Sequence, residues 1–226
     1  MLQLRVRRSE LTYEAQLAPP LSAVIDTPGK LASALISQFD YLVGLADVTL
    51  DEGPLQDRGL SCEVEKFHTS ILLRADRVEI HFLAVDETWG PWTSEAIHGV
   101  WKAIASTSPE VAAKSHSLLF EMDCEPLTGS YQAALERFCS PHRNLPEGTE
   151  TAVVYYLPQD LSQGFPSSSF VLNRSAEVQG GLLLAMTLVF DSRHSQEDVV
   201  QQGRGRLDDL SRRLEIELLK DSKVRA

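Results

Sequence analysis

The sequence predicts an α+β fold made of two similar β-α-β-β-β-α halves, with mainly antiparallel sheet and with helices packed on one face. Segments in which apolar and polar residues alternate, as in half-buried strands, are interleaved with segments in which apolar residues recur every three or four positions, as in helices. The order of these segments repeats at a period of about 110 residues. With 43% hydrophobic and 23% charged residues, the composition is that of an ordinary globular protein.

The first half opens with two alternating runs, at residues 2–7 and 11–17, which predict two strands separated by a break. Pro28 then favours the start of a helix, because proline lacks the amide hydrogen that a first helical residue would leave unpaired. Apolar residues spaced three and four apart over residues 31–39 predict a short amphipathic helix after it.

A loop, a pair of strands and a second helix are predicted to complete the first half. Residues 48–60 are rich in acidic residues, glycine and proline, which is typical of a loop. Residues 62–85 contain alternating runs on either side of a turn, which predict a pair of strands. We interpret the Trp-Gly-Pro-Trp segment at residues 89–92 as a further turn, with Thr93 as the N-cap of the helix that follows.

The same order of elements recurs after residue 108. The pattern predicts a strand at 115–127, a helix at 130–138, a strand at 150–158 and a pair of strands at 169–190. A final helix is predicted from Ser195, its N-cap, to Leu218, the last residue of its apolar stripe. We therefore assign residues 1–108 to a first α+β half and residues 109–226 to a second half with a long C-terminal helix, the two packing tightly enough to form one compact domain.

The recurrence has two explanations. Internal duplication would produce it, and so would chance, because the similarity lies in the order of the elements rather than in residue identity. Duplicated halves are expected to pair about a pseudo-two-fold axis, with a ligand groove at their interface.

Charge and composition exclude several classes of protein. The net charge of −11 argues against broad nucleic-acid binding, which depends on neutralisation of phosphates by lysine and arginine. The longest apolar stretch, residues 181–190, is about half of the ~20 residues that a membrane-spanning helix needs. Residues 1–17 lack the apolar core of a secretory signal. We therefore expect a cytoplasmic protein that does not cross a membrane.

The sequence contains no recognisable catalytic or metal-binding motif. Phosphate-binding glycine loops and nucleophile elbows are missing. Cys62, Cys124 and Cys139 are odd in number and lack the spacing of zinc ligands. We expect no catalytic residue, no metal and no cofactor.

Two tryptophans, Trp89 and Trp92, are the first candidate binding residues. Aromatic side chains in a rigid turn are typical anchors of a contact surface. They are equally typical of a lid that closes a small core, and the sequence leaves both interpretations open. The basic and acidic residues of the terminal helix are a further candidate, for which a solvated face of mixed charge and a partner-docking surface are the two interpretations.

Arg77 and His81 are the second pair of candidate binding residues, because alternation places them on one polar face of a strand. Glu79 shares that face, and Asp86 follows the strand. These four polar groups would serve a small-ligand site or an enzyme that uses the groove between the halves. The simpler interpretation is that they form the solvent-exposed face of the sheet.

The layout of residues 60–220 resembles that of a family of bacterial conserved-hypothetical proteins of about this length. The matching segments lie at residues 78–92, 117–127, 182–192 and 207–218. Members of that family carry a Leu-His pair in the terminal helix, where this chain has Leu210 and Ser211. The resemblance implies support for the α+β fold, and it implies no activity and no catalytic residues.

From these observations we expect a non-enzymatic protein-binding or assembly module of the bacterial cytoplasm. Its partner would be another protein or a second copy of the chain, since half-sheets with uncovered edges are often completed by a second copy. The alternative is a small-ligand-binding protein or an enzyme.

Overall fold

The computed structural model describes residues 1–39, 42–44, 47–51, 53–54, 58–83, 89–139, 151–160 and 165–220. Its strands are β1 (Leu2–Ala18), β2 (Val48–Asp51), β3 (Gly59–Val64), β4 (Thr69–Arg74), β5 (Arg77–Leu83), β6 (Ala112–Pro126), β7 (Val153–Leu157), β8 (Ser168–Arg174), β9 (Leu182–Asp191) and β10 (Ile216–Lys220). Its helices are α1 (Ala23–Asp26), α2 (Pro28–Phe39), α3 (Trp89–Thr107), α4 (Tyr131–Leu135) and α5 (Gln196–Arg213).

The predicted α+β class and the mainly antiparallel sheet are confirmed. Strand β3 pairs antiparallel with β2 and with β4, and β4 pairs in the same way with β5. Strand β8 pairs antiparallel with β7 and with β9. Only β10, which lies beside β1, is parallel to its neighbour among the pairings whose register is described. The internal duplication stays a prediction.

The chain divides into two compact units, each built from separate segments. The first unit contains residues 11–118 and 189–201. The second unit contains residues 1–10, 119–188 and 202–226. The predicted assignment of residues 1–108 and 109–226 to two halves stays a prediction.

In the first unit, the strand order is β2-β3-β4-β5-β1-β6. On β4 and β5, Ile71 lies opposite Ile80 and Leu73 lies opposite Val78, and all four side chains are fully buried. Because strand side chains alternate between the two faces, the polar residues between them occupy the other face.

Helices α2 and α3 pack against each other in the first unit. Their close approach depends on Gly99, where an added Cβ would lie 3.2 Å from the ring of Phe39. Leu35 of α2 and Val100 of α3 are fully buried. The apolar stripes that predicted these helices are therefore their packing faces.

In the second unit, the strand order is β1-β6-β9-β8-β7, with β10 on the other side of β1. Phe170 on β8 lies opposite Met186 on β9, and both are buried. The buried Asp123 of β6 accepts a hydrogen bond of 2.6 Å from the hydroxyl of Ser175, which in turn accepts from the amide of Val178. Buried polar groups are normally hydrogen-bonded, and Ser175 provides that hydrogen bond for Asp123.

The predicted turn at residues 89–92 is wrong, because helix α3 already begins at Trp89. Pro91 lies in the first turn of the helix, where amide hydrogens have no partner within the helix, so proline does not prevent the helix from starting there. Thr93, the predicted N-cap, is buried inside the helix.

The predicted long C-terminal helix is also wrong, because α5 ends at Arg213. Glu215 adopts a left-handed backbone conformation with φ 53°, and the chain then enters β10. Ile216 pairs with Leu2, and the amide of Leu2 donates to the carbonyl of Glu215. Pairing with β1 therefore overrides the helical spacing of the leucines in this segment.

Two further expectations fail near the start of the chain. Strand β1 runs from Leu2 to Ala18 without the predicted break. Its buried residues change from even to odd positions between Leu4 and Leu11, which explains why the alternation is lost between them. Residues 48–51 form strand β2 rather than a loop.

Candidate functional site

Strand β5 presents Arg77, Glu79 and His81 on the face opposite its buried residues, as the alternation predicts. Glu79 interacts with both neighbours. Its carboxylate lies 2.5 Å from Nε of Arg77 and 3.6 Å from Nε2 of His81. Since Glu79 is shared in this way, the three side chains largely neutralise one another.

The contacts of His81 extend to β1. Its Nδ1 lies 3.1 Å from the hydroxyl oxygen of Thr12. Sequence reasoning did not indicate Thr12, because its neighbour on β5 is 69 residues away in the chain. The result is a row of polar groups across two strands that contact one another.

The polar face continues onto β4 and β3 through strand register. Ser70 lies opposite His81, and Glu63 lies opposite Ser70. Burial raises the pKa of the Glu63 carboxyl, and its electrostatic interaction with His81 acts in the opposite direction. An open depression of about 530 Å³ adjoins this row and is lined by Asp47, Glu63, Glu65, His68, Ser70 and Leu83.

This depression is acidic, so it disfavours anions. Within the described ranges, no group of three or more His, Cys, Asp or Glu side chains is arranged to hold a metal ion. Glu63 and Ser70 were not predicted as site residues. The register of β3, β4 and β5 brings them beside His81. The sequence shows the alternation within each strand but does not show the register between strands.

Trp92 is part of the packing of the first unit. Its ring stacks on Phe67, with centroids 4.1 Å apart, and also approaches Phe39. Its Nε1 donates a hydrogen bond of 2.9 Å to the hydroxyl of the buried Thr69. Of the two interpretations left open for the tryptophans, these contacts favour the lid for Trp92.

The side chain of Trp89 lies outside the described part of the chain, and so does Asp86. The structure therefore brings together Arg77, Glu79 and His81 of the predicted set. It places Trp92 in a different environment, stacked on Phe67.

Strand β7 exposes apolar side chains. Val154 is 45% exposed and Tyr156 is 84% exposed. Both project from the face opposite the buried Val153. Val154 lies opposite Val171 of β8, which lies opposite Ala185 of β9, so an apolar row crosses three strands.

Strand β7 also lies at the end of the described strand order, where it pairs with β8 on one side. Its five residues carry no charge. The sequence predicted this strand, but an apolar run does not reveal which of its faces is left exposed. Tyr156 is therefore a candidate binding residue that sequence reasoning missed.

Helix α5 contains two buried charged residues, Arg206 and Asp209. One of the two interpretations of the charges of this helix was a solvated face, and for these two residues it is wrong. The helical spacing of charges does not indicate which of them face the neighbouring strands and loops.

A comparison with protein-family models finds no match for this chain, and a comparison with curated proteins finds no similar sequence. The resemblance to bacterial conserved-hypothetical proteins therefore stays a prediction. Of the helices in the described ranges, none combines the length and the apolar character needed to cross a membrane.

Proposed function

We propose that this chain is a non-enzymatic assembly module of the bacterial cytoplasm that associates with a second copy of itself through strand β7. The observation that carries the proposal is the exposure of Val154 and Tyr156 on an uncharged strand at the end of the described strand order. The exposed edge of a sheet offers backbone amides and carbonyls that another strand can pair with.

The absence of charge on β7 supports a pairing role. Edge strands that remain unpaired are commonly protected by lysine, proline or inward-pointing charges. In a chain of which 23% of the residues are charged, the segment Val153–Leu157 has neither charge nor proline. A protected edge would be expected to carry at least one such residue.

The sequence of β7 suits antiparallel pairing with itself. Overlap of all five residues centres the two-fold axis on Tyr155, which places Val154 of each copy opposite Tyr156 of the other. An aromatic side chain opposite a β-branched one contributes roughly 0.2–1 kcal/mol beyond an alanine pair, and this geometry forms two such pairs. Both side chains are exposed in the single chain, so each gains burial on association.

The net charge gives the proposed dimer a characteristic salt dependence. Each copy carries −11, so two copies repel one another over distances that added salt screens. The β7 contact itself contains no ion pair to weaken. Self-association should therefore strengthen as ionic strength rises, the opposite of what an interface built on salt bridges would show.

Sedimentation velocity from micromolar to near-millimolar concentration tests the proposal. The unmodified chain should show a concentration-dependent dimer, and Val154→Lys should raise its dissociation constant by about tenfold or more, because two lysines enter an apolar contact. Val189→Lys is the matched control, since Val189 is 54% exposed on a different strand, β9. This variant should dimerise like the unmodified chain.

A chain that remains monomeric at all concentrations would overturn the self-association proposal. Dimerisation that is insensitive to Val154→Lys would overturn the role of β7. A different protein bound through β7 in place of a second copy would also contradict the proposed occupant.

The alternative function, a ligand site built on Arg77, Glu79 and His81, has weaker support. The charged groups of Arg77 and Glu79 pair with each other. A ligand would have to compete with these contacts, whereas a strand that pairs with β7 would not.

A further inference from the structure

The second unit contains an open cavity of about 470 Å³ beside helix α5. Its lining residues are Leu157, Pro158, Gln159, Asp160, Arg206, Leu210 and Arg213. The volume lies in the range of about 300–1,000 Å³ that is typical of small-molecule sites. Nothing in the proposed association through β7 requires this cavity.

Arg206 is the unusual residue of the lining, because its side chain is only 6% exposed and carries a permanent charge. Its Nη2 lies 3.4 Å from the carbonyl of Pro158, and its Nε lies 3.4 Å from the hydroxyl of Ser168. Strong charge-assisted hydrogen bonds are about 2.7–2.9 Å long. The buried guanidinium therefore makes hydrogen bonds that are longer than those a charged group normally forms.

The carboxylate nearest to Arg206 is engaged elsewhere. Asp209 accepts a hydrogen bond of 2.8 Å from Nε of Arg213. Its distances to Arg206 and Arg212 are longer, at 3.7 Å and 4.0 Å. Asp209 is thus shared by three arginines and is held most closely by Arg213.

The charges around the cavity leave a surplus of one positive charge. Of the described residues that line the cavity, Arg206 and Arg213 are positively charged and Asp160 is negatively charged. Asp209 and the exposed Arg212, which do not line the cavity, add one further charge of each sign. The chain as a whole is strongly acidic, with a net charge of −11. A local positive surplus is therefore contrary to the overall charge of the molecule, and it favours an anion with a single charge.

Apart from Gln159, the uncharged part of the lining is apolar, and an aromatic ring lies against the guanidinium of Arg206. Leu157, Pro158 and Leu210 offer hydrocarbon surface to the cavity. The ring of Phe165 lies below the guanidinium, 5.1 Å from its central carbon. This cation–π contact helps to hold the guanidinium in place, and its N–H groups can donate to a planar acceptor.

We propose that this cavity binds a small aliphatic monocarboxylate. The carboxylate lies against the guanidinium groups of Arg206 and Arg213, whose planar donors match its two oxygens. The aliphatic chain lies along Leu157 and Leu210, where it is removed from water. The single charge of the ligand matches the surplus of one positive charge, so a doubly charged phosphate ester is disfavoured.

Isothermal titration of the full chain with sodium hexanoate tests this proposal, with hexylamine and monobutyl phosphate as probes of the same size range. Hexanoate should bind saturably, and Arg213→Gln should weaken its affinity by about tenfold or more, since a hydrogen bond to a charged group is lost. Arg213 is 59% exposed, so the substitution is compatible with folding. Arg193→Gln, at an arginine of the first unit that is 78% exposed, is the matched control.

A second measurement locates the ligand. In a nitrogen–proton spectrum, the Nε–H resonance of Arg206 should shift on addition of hexanoate while that of Arg193 should not. Lack of saturable binding at high millimolar hexanoate would overturn the proposal. Equal binding by the Arg213→Gln variant, or a preference for monobutyl phosphate or hexylamine, would overturn it as well.

Discussion

The hydroxyl of Tyr13 connects three buried side chains in the first unit. Nε1 of Trp101 donates to this hydroxyl over 2.9 Å, and the hydroxyl lies 2.8 Å from Nδ1 of His116. An indole nitrogen can only donate, so the Tyr13 hydroxyl accepts from Trp101. Its own proton is then available to Nδ1 of His116, which accepts it when the neutral ring is protonated at Nε2. Burial raises the pKa of Tyr13, which keeps this proton in place.

We predict that Tyr13→Phe destabilises the protein by about 2–6 kcal/mol, because it leaves Nε1 of Trp101 and Nδ1 of His116 without this partner at about 1–3 kcal/mol each. Tyr13 is fully buried, and Trp101 and His116 are 8% and 3% exposed, so water cannot readily replace the lost contacts. Phenylalanine keeps the ring, so loss of apolar packing adds little.

Urea unfolding followed by circular dichroism measures this change in the free energy of unfolding. Tyr156→Phe is the matched control, because it removes the same hydroxyl from a side chain that is 84% exposed, and it should change the stability by less than about 0.5 kcal/mol. A Tyr13→Phe variant as stable as this control would refute the assigned hydrogen-bond network.

Two further predictions concern pH and a close backbone approach. Burial lowers the pKa of His116 below 6.5, so on acidification the unfolded chain binds a proton that the folded chain does not. The free energy of unfolding should therefore fall as the pH drops below about 6.5. In urea titrations His116→Gln should reduce this pH dependence, while His98→Gln, at an exposed histidine, should not. An unchanged pH dependence in His116→Gln would contradict this explanation. Gly181→Ala should destabilise the protein by about 1–3 kcal/mol, because the added Cβ would lie 2.7 Å from a backbone carbonyl oxygen. Gly29→Ala in helix α2 is the control, because a Cβ added there has no atom within 4 Å and should be neutral or stabilising. Equal melting temperatures for the two alanine variants would contradict this prediction, because they would show that the backbone near Gly181 can shift at little energetic cost.

Features determined by neighbouring residues could be predicted from the sequence. Ser195 was predicted as the N-cap of the last helix, and its hydroxyl does accept from the amide of Asp198. Arg77 and His81 were placed on one face because alternation along a strand is local. The apolar stripe of α2 likewise identified its packing face.

Features that depend on distant segments could not be predicted. Leu218 fits a helical stripe in the sequence, and only its pairing with Leu4, near the opposite end of the sequence, makes it part of a strand. The contact between Tyr13 and His116 joins residues 103 positions apart. The burial of Arg206 depends on the loop that contains Pro158, which the charge pattern of α5 does not reveal.

The central claim, pairing of β7 with itself around Tyr155, is tested most directly by cysteine cross-linking. Directly opposed Cα atoms in an antiparallel pair lie about 4.5–5.5 Å apart, within the range of a disulfide, whereas diagonal neighbours lie about 7–8 Å apart. The cysteine variants should be made in a Cys139→Ser background, because Cys139 is only partly buried and could itself be oxidised. Cys62 and Cys124 are buried and can remain.

In that background, mild oxidation of Tyr155→Cys should produce a covalent dimer on a non-reducing gel. Val154→Cys should not, because residue 154 of one copy lies diagonal to residue 154 of the other in the proposed register. No dimer from Tyr155→Cys, or equal dimer from both variants, would contradict the proposed pairing.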